Sequence, residues 1–247
     1  MTAAAFRAMH EGDALLVLPN VWDVVSARAF ADAGFGALAT ASTAIAATLG
    51  HEDGERTPRE EMFEAITRIA GSVDVPVSAD IEAGYGLAPS ELVARLLEVG
   101  VVGCNLEDTD PLSGELKDAR QHASWLHEVC AAAGSELLVN ARVDVYLRGG
   151  STSEAIRRGR LYREAGAGCV YPIFAPASEL EALVTQIGGP INVHPGADGP
   201  SFAALAHLGV RRVTFGGGLH SQVTEEVRKL AGQLREQSAT QALESSR

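Results

Sequence analysis

Two acidic clusters close apolar runs in this chain: Asp80-Ile81-Glu82 ends the run 75–80, and Glu107-Asp108 follows the run 102–106. Residues two apart on an extended backbone share a side, which would bring the Asp80 and Glu82 carboxylates together. Carboxylates so placed repel unless a cation or a shared proton intervenes. With Glu107 and Asp108 on the next run, a hard divalent cation resolves that repulsion most simply. Magnesium suits the pattern, because it takes one or two protein carboxylates and keeps its other positions for water and substrate oxygens. No His/Cys constellation competes for zinc. The rival reading is that Asp108 and Asp144 pair with Arg142 or cap helices. Arg142 follows the apolar run 137–141, where a guanidinium is costly to bury without an anion. Its fork fits a carboxylate, a substrate's or a protein acid's, and the sequence leaves both open.

Those residues need a scaffold, and the hydropathy pattern supplies one. Continuous apolar runs at 15–18, 37–40, 75–80, 102–106, 137–141, 169–171, 191–194 and 212–215 read as strands buried on both faces. Helical spacing fills the intervals 24–33, 59–71, 89–99, 119–133, 153–165, 178–187, 201–208 and 220–237. Thr57-Pro58 and Ser151/Ser153 are start signals, and Gly34, Gly100, Gly166 and Gly209 are stops. Strict alternation of strand and helix implies right-handed βαβ units, and eight of them predict a (β/α)8 TIM-type barrel of parallel strands. Residues 1–247 then form a single domain. A doubly wound open sheet would want a Gly-rich turn after its first strand, where this chain has Pro19-Asn20-Val21-Trp22-Asp23.

In a barrel, chemistry gathers where strands end. Those positions here carry Asn20, Trp22 and Asp23, then Thr40-Ala41-Ser42-Thr43, both acidic clusters, Asn140-Ala141-Arg142-Val143-Asp144, and Asn192-Val193-His194. The run Gly216-Gly217-Gly218 after the last strand is a weak phosphate-site signal, and His194 and His220 stand at mouth positions.

Composition limits the partners. The 247 residues carry 20 Lys+Arg against 32 Asp+Glu, a net charge of −12, with 46% hydrophobic residues. That balance disfavours nucleic acid and anionic membrane surfaces, and leaves room for a small anionic substrate in a local cationic pocket. No stretch reaches the roughly 18 apolar residues of a membrane span. Three cysteines without metal-type spacing, and no secretory pattern over residues 1–10, predict a cytoplasmic protein with reduced thiols.

Pro19-Asn20-Val21-Trp22-Asp23, Ser78-Ala79-Asp80-Ile81-Glu82-Ala83-Gly84-Tyr85-Gly86, Asn105-Leu106-Glu107-Asp108 and Asn140-Ala141-Arg142-Val143-Asp144 together resemble the isocitrate lyase/phosphoenolpyruvate mutase superfamily, notably its short bacterial mutase-like and 2-methylisocitrate-lyase-like members. The resemblance runs from about residue 15 to 219. It implies a magnesium-dependent barrel (manganese being the possible substitute) that acts on a small α-keto or 2-hydroxy mono- or dicarboxylate through an enolate, by C–C cleavage or decarboxylation. By the same resemblance Asp80 is the direct metal ligand, Asp53 lies near the metal, and Glu82 and Glu107 hold metal-bound waters. Asp80, Glu107 and Arg142 make the catalytic set. Ser42, Thr43 and Ala44 match a carboxylate-holding loop, Arg142 the substrate arginine, Asn192 a polar contact, and Trp22 and Asp23 a bordering loop. It also implies a dimer or tetramer, with the last helix exchanged between subunits.

The chain departs from the family after the fourth predicted strand. Residues 107–118 lack the lyases' catalytic Cys, and Lys117 alone matches the mutase loop; Asp110, Ser113, Lys117 and His122 are the candidate proton donors or nucleophiles. Thr43 replaces a usual Gly, and the Glu common after the sixth strand is replaced around Tyr171-Pro172-Ile173. A phosphonate-handling mutase or hydrolase is the alternative, and a keto-acid-binding barrel without efficient turnover is another.

Overall fold

A computed structural model describes residues 2–12, 14–196 and 199–244, with side chains described to residue 238. The chain begins with α1 (Ala3–Glu11), then β1 (Leu16–Val17) and β2 (Asn20–Val21), α2 (Val24–Asp32), β3 (Leu38–Thr40), α3 (Ser42–Leu49) and α4 (Arg59–Ala70). It continues through β4 (Val77–Asp80), α5 (Pro89–Glu98), β5 (Gly103–Glu107), α6 (Ala119–Ala133), β6 (Leu138–Val143) and α7 (Thr152–Glu164). The last third holds β7 (Cys169–Pro172), α8 (Leu180–Ile187), β8 (Asn192–Val193), α9 (Phe202–His207), β9 (Arg212–Val213) and α10 (Gly218–Glu244).

All ladders are parallel. β2 to β7 pair in sequence order, and β1, β9 and β8 pair beside one another. Two links join these groups into a ring. β1 and β2 are halves of one extended segment, interrupted at Leu18-Pro19 because proline has no N–H for the ladder. A parallel bridge between Val170 and Ile191 connects β7 to β8. The predicted first strand at 15–18 is therefore longer and broken, so that the expected eight strands appear as nine segments. Arg212 on β9 spans the interior: its Nη2 reaches Ser78 Oγ at 3.4 Å and Asn105 Oδ1 at 3.3 Å, on β4 and β5.

The outer helices bury one stripe each, as their periodicity predicts. α4 buries Met62, Phe63, Ile66 and Ile69, and α5 buries Leu92, Val93 and Leu96. Two helices fall outside the sequence expectation. α1 lies under the barrel with Phe6 fully buried, and α3 follows β3 directly. α3 reads Ser-Thr-Ala-Ile-Ala-Ala-Thr-Leu, so small and evenly apolar that no face stands out. The final helix runs beyond the predicted 220–237 to Glu244.

The inside of this barrel is polar. Register places Asp80, Asn105, Asn140 and Cys169 in one row across β4 to β7, and Glu107, Arg142 and Tyr171 in the next row toward the strand ends. Asn140 donates to Asn105 at 2.7 Å. Both rows position the site, the first through Asp80 and Asn105 and the second through Arg142 and Tyr171.

Candidate active site

Asp80 is the last residue of β4, and its backbone N–H donates to Thr40 Oγ1 at 2.8 Å. Its side chain meets the start of α3, where Ser42 N–H and Oγ–H donate to Oδ2 at 3.2 and 3.0 Å. A helix N-terminus favours a carboxylate through its free N–H groups and dipole. The other oxygen, Oδ1, is buried and makes no hydrogen bond to any described residue. Asp53, on the exposed rim, accepts a weaker bond from Ser42 Oγ at 3.4 Å; burial of its carboxyl and the nearby Asp80 hold it above the usual carboxylate range.

Arg142 is clamped. Its Nε and Nη2 donate to Asp144 at 2.6 and 3.0 Å, and Nη2 also pairs with Glu107. The sequence leaves open whether this guanidinium serves a protein acid or a substrate; in the structure two protein acids hold it. They use one edge of the fork, and Nη1 has no hydrogen bond among the described residues. Burial raises the Glu107 carboxyl, against the pull of Arg142.

Glu82 does not share an extended backbone with Asp80. β4 ends at Asp80, and Glu82 sits at φ 52°, a left-handed conformation. Its carboxylate instead accepts from Glu55 N–H at 2.5 Å and Tyr85 Oη at 2.8 Å, while Glu55 accepts from Tyr85 N–H at 2.6 Å. Glu55, Glu82 and Tyr85 are three of the four non-glycine residues with positive φ among the described residues, the fourth being Phe174. Such strain collects at functional ends of folds. Burial pushes the Glu82 carboxyl up to about 7. Among the described residues, no three His, Cys, Asp or Glu side chains gather closely enough to hold an ion by themselves. Asp80, with one free buried oxygen and acids around it, fits a cation that brings its own water.

A cavity of about 400 Å³ opens beside Asp80, lined by Asn20, Ser42, Thr43, Asp53, Asn105 and Arg142 on its polar side. Leu147, Ile173 and Phe174 form an apolar wall, joined by Tyr171, His194 and the glycines 216–218. Four expected contacts are not among its lining residues. Asp23 caps α2 by accepting from Ser26 N–H at 2.6 Å, and Trp22 packs on His220 with ring centres 5.0 Å apart. Ala44 is buried in α3, and Asn192 lies fully buried, its amide on Thr214 Oγ1 at 2.9 Å. Sequence reasoning does not single out Tyr171 and Phe174; the alternation Cys169, Tyr171 along β7 is the available signal.

The rival reading holds for Asp144, which pairs with Arg142, whereas Asp108 turns to a different arginine, Arg158. Asp108 receives Asp144 N–H at 2.8 Å, Tyr162 Oη at 2.7 Å and Arg158 Nη1 at 3.0 Å. The loop candidates lie elsewhere. Asp110 accepts three bonds from Leu112 and Ser113 in a turn, and Lys117 Nζ lies 5.8 Å from the Trp125 ring centre. His122 is buried against Trp125 and Tyr162. Asp110, Lys117 and His122 line a second cavity, of about 590 Å³.

With the barrel and its acidic, arginine-bearing mouth in view, comparison with known proteins identifies the class. Residues 6–235 match the family model described as phosphoenolpyruvate phosphomutase, and the chain belongs to that family. An uncharacterized protein of Mycobacterium tuberculosis is 34% identical over 215 residues, covering 86% of this chain and 81% of its own. A solved structure from Burkholderia cenocepacia J2315, described provisionally as a phosphonomutase, superposes with a TM-score of 0.87 at 36% identity, covering 94% of this chain and 99% of that one. A phosphonopyruvate hydrolase in complex with oxalate and Mg²⁺ gives a TM-score of 0.87 at 26% identity, covering 96% and 88%. Other relatives are enzymes, among them 2-methylisocitrate lyase, oxaloacetate decarboxylase and phosphonopyruvate hydrolase. No helix of the described chain is long and apolar enough to cross a membrane.

Proposed function

We propose that the chain is a divalent-metal-dependent enzyme that binds a small 2-oxo or 2-hydroxy carboxylate, with one or two carboxylates, and breaks a carbon–carbon bond by cleavage or decarboxylation. The observation that carries this reading is Asp80: one oxygen is fixed by Ser42, the other is buried without a partner, and the same cavity holds Arg142. Asp80 would hold magnesium, or manganese in its place, while Asp53, Glu82 and Glu107 order the surrounding water. When bound, that ion would supply fixed positive charge facing the substrate oxygen on which electrons accumulate as the bond breaks.

The chain's own groups would do the rest. Arg142 grips the substrate carboxylate through the edge that Asp144 and Glu107 leave open, and these two acids keep the guanidinium plane from turning. Thr43, at the α3 N-terminus, orients the anion, while Ser42 beside it spends its donors on holding Asp80. Leu147, Ile173 and Phe174 keep water from the reacting carbon.

A phosphonate-handling mutase or hydrolase is the second reading, favoured by the backbone of glycines 216–218, which lines the cavity where α10 begins. Oxaloacetate, 2-methylisocitrate and phosphonopyruvate, each with and without Mg²⁺ and followed by NMR, separate the two. Metal-dependent pyruvate from either carboxylate substrate supports the first reading. Turnover of phosphonopyruvate alone supports the second, and binding without product contradicts both.

Self-association belongs to the same proposal. Val223, Val227, Leu230 and Leu234 on α10 are each at least half exposed and recur at spacings of four, three and four. That is the stripe a second copy would cover. A cytoplasmic setting suits the three free cysteines.

A further inference from the structure

Tyr171 brings to the cavity wall a buried hydroxyl that has no part in the proposed function. Tyr171 on β7 is in register with Arg142 on β6, which is in register with Glu107 on β5. Partners in register on parallel strands carry their side chains on the same face, so these three form a row at the mouth. Tyr171 lines the cavity beside Arg142 and is only 3% exposed, yet its hydroxyl makes no hydrogen bond to any described residue. The Thr214 hydroxyl is near enough to pull the phenol slightly down against burial, but it already exchanges two bonds with the Asn192 amide, at 2.9 and 3.2 Å, and makes no hydrogen bond of proper geometry to Tyr171.

An orphaned hydroxyl in a buried wall has given up water without a replacement, and native proteins rarely leave such groups unmatched except where a ligand completes them. Burial pushes the phenol up to about 12, so the proton stays on and the group is a donor near neutral pH. Its neighbours on the wall, Leu147, Ile173 and Phe174, offer it no acceptor. The adjacent Arg142 is cationic. A phenol donor next to a guanidinium is complementary to one kind of partner, an anionic oxygen.

We propose that Tyr171 is a further substrate-touching residue, whose hydroxyl donates a hydrogen bond to the carboxylate oxygen that Arg142 grips. The inference rests on the proposed reading of the cavity and deepens it, naming a second donor for the anion on a strand end where the family resemblance places an acid. A 2-oxo acid bound this way meets donors from two adjacent strands. The phenol adds no charge, so the wall favours one carboxylate on that side over two.

The Tyr171→Phe variant tests this with oxalate, a planar 2-oxo dianion, as the probe. Calorimetry in the presence of Mg²⁺ should give a Kd about 10- to 100-fold weaker than for the original protein, the range for a hydrogen bond to a charged group. The Tm of the ligand-free, metal-free protein should stay level or rise, because the variant removes an unsatisfied buried hydroxyl. Oxalate affinity within twofold of the original overturns the proposal. So does a Tm several degrees lower, which would mean that the hydroxyl serves the fold. If the original protein itself binds no oxalate with Mg²⁺, the reading of the cavity fails first, and the role of Tyr171 fails with it.

Discussion

Asp80 and Arg142 show how far single residues can be read. The acids and the arginine are visible as costly groups at the ends of apolar runs, and the structure brings Asp80 and Arg142 to one cavity. The partner of Arg142 is not visible in the sequence, because a guanidinium fits any carboxylate and only the fold decides which lies near. Glu82 departs for a more specific reason: its place beside Asp80 assumes an extended chain, and the backbone turns left-handed at Glu82 itself. Arg142→Lys should weaken oxalate binding about tenfold or more, since an ammonium cannot keep Asp144 and Glu107 and still offer a free edge to the ligand. Titration of the purified variant with oxalate and Mg²⁺ checks this. Affinity equal to the original would remove Arg142 from the substrate site.

At the scale of elements, segments with a stripe and a cap are legible and segments without them are not. α6 lies at its predicted bounds because Asp118 caps it and its buried residues recur at helical spacing. α3 has no side-chain cap and is evenly apolar, so nothing in its pattern separates it from a loop, whereas α1 carries a Thr2 cap and a short stripe of Ala3, Phe6 and His10, a signal of barely two turns. α1 turns out to plug the bottom of the barrel. Phe6 lies so close to Gly103 on β5 that a Cβ there would come within 2.7 Å of its ring. Gly103→Ala should therefore cost about 1–3 kcal/mol of stability through overpacking. Denaturant titration measures it, and oxalate affinity should not change.

The same plug carries a pH dependence. His10 is buried against Phe6, with Nδ1 on the Phe6 carbonyl at 2.9 Å, and burial together with Arg212 lowers its pKa to about 4. The folded state thus prefers the neutral ring. Its contribution is fully present above the unfolded value near 6.5 and is lost as pH falls from there through about 4, amounting to about 3 kcal/mol at most. His122, lowered to about 3 by burial, acts in the same direction. His10→Gln should flatten the fall in stability between pH 7 and 4.5. An unchanged slope would show that His10 titrates normally.

For the whole molecule, strict alternation of strands and helices is enough to predict the parallel barrel, since few topologies satisfy it. What fills the barrel is not predictable in the same way. Arg212 stands in the sequence as an ordinary residue at the start of a strand, yet it is fully buried in the centre, bridging Ser78 and Asn105. The exposed stripe on α10 belongs to this scale too. Leu230→Asp combined with Val227→Asp should shift the protein toward monomer in light scattering without lowering the barrel's Tm by more than a few degrees. An unchanged mass would place any self-association elsewhere.

The central claim is that one cavity joins a metal-holding Asp80 to a carboxylate-gripping Arg142. Isothermal titration of oxalate with and without Mg²⁺, on the original protein and on Asp80→Asn, tests it most directly. The account predicts that oxalate binds at least about tenfold more tightly with Mg²⁺ than without, and that Asp80→Asn abolishes this enhancement. Oxalate binding that is indifferent to Mg²⁺, or an enhancement that survives Asp80→Asn, would contradict it.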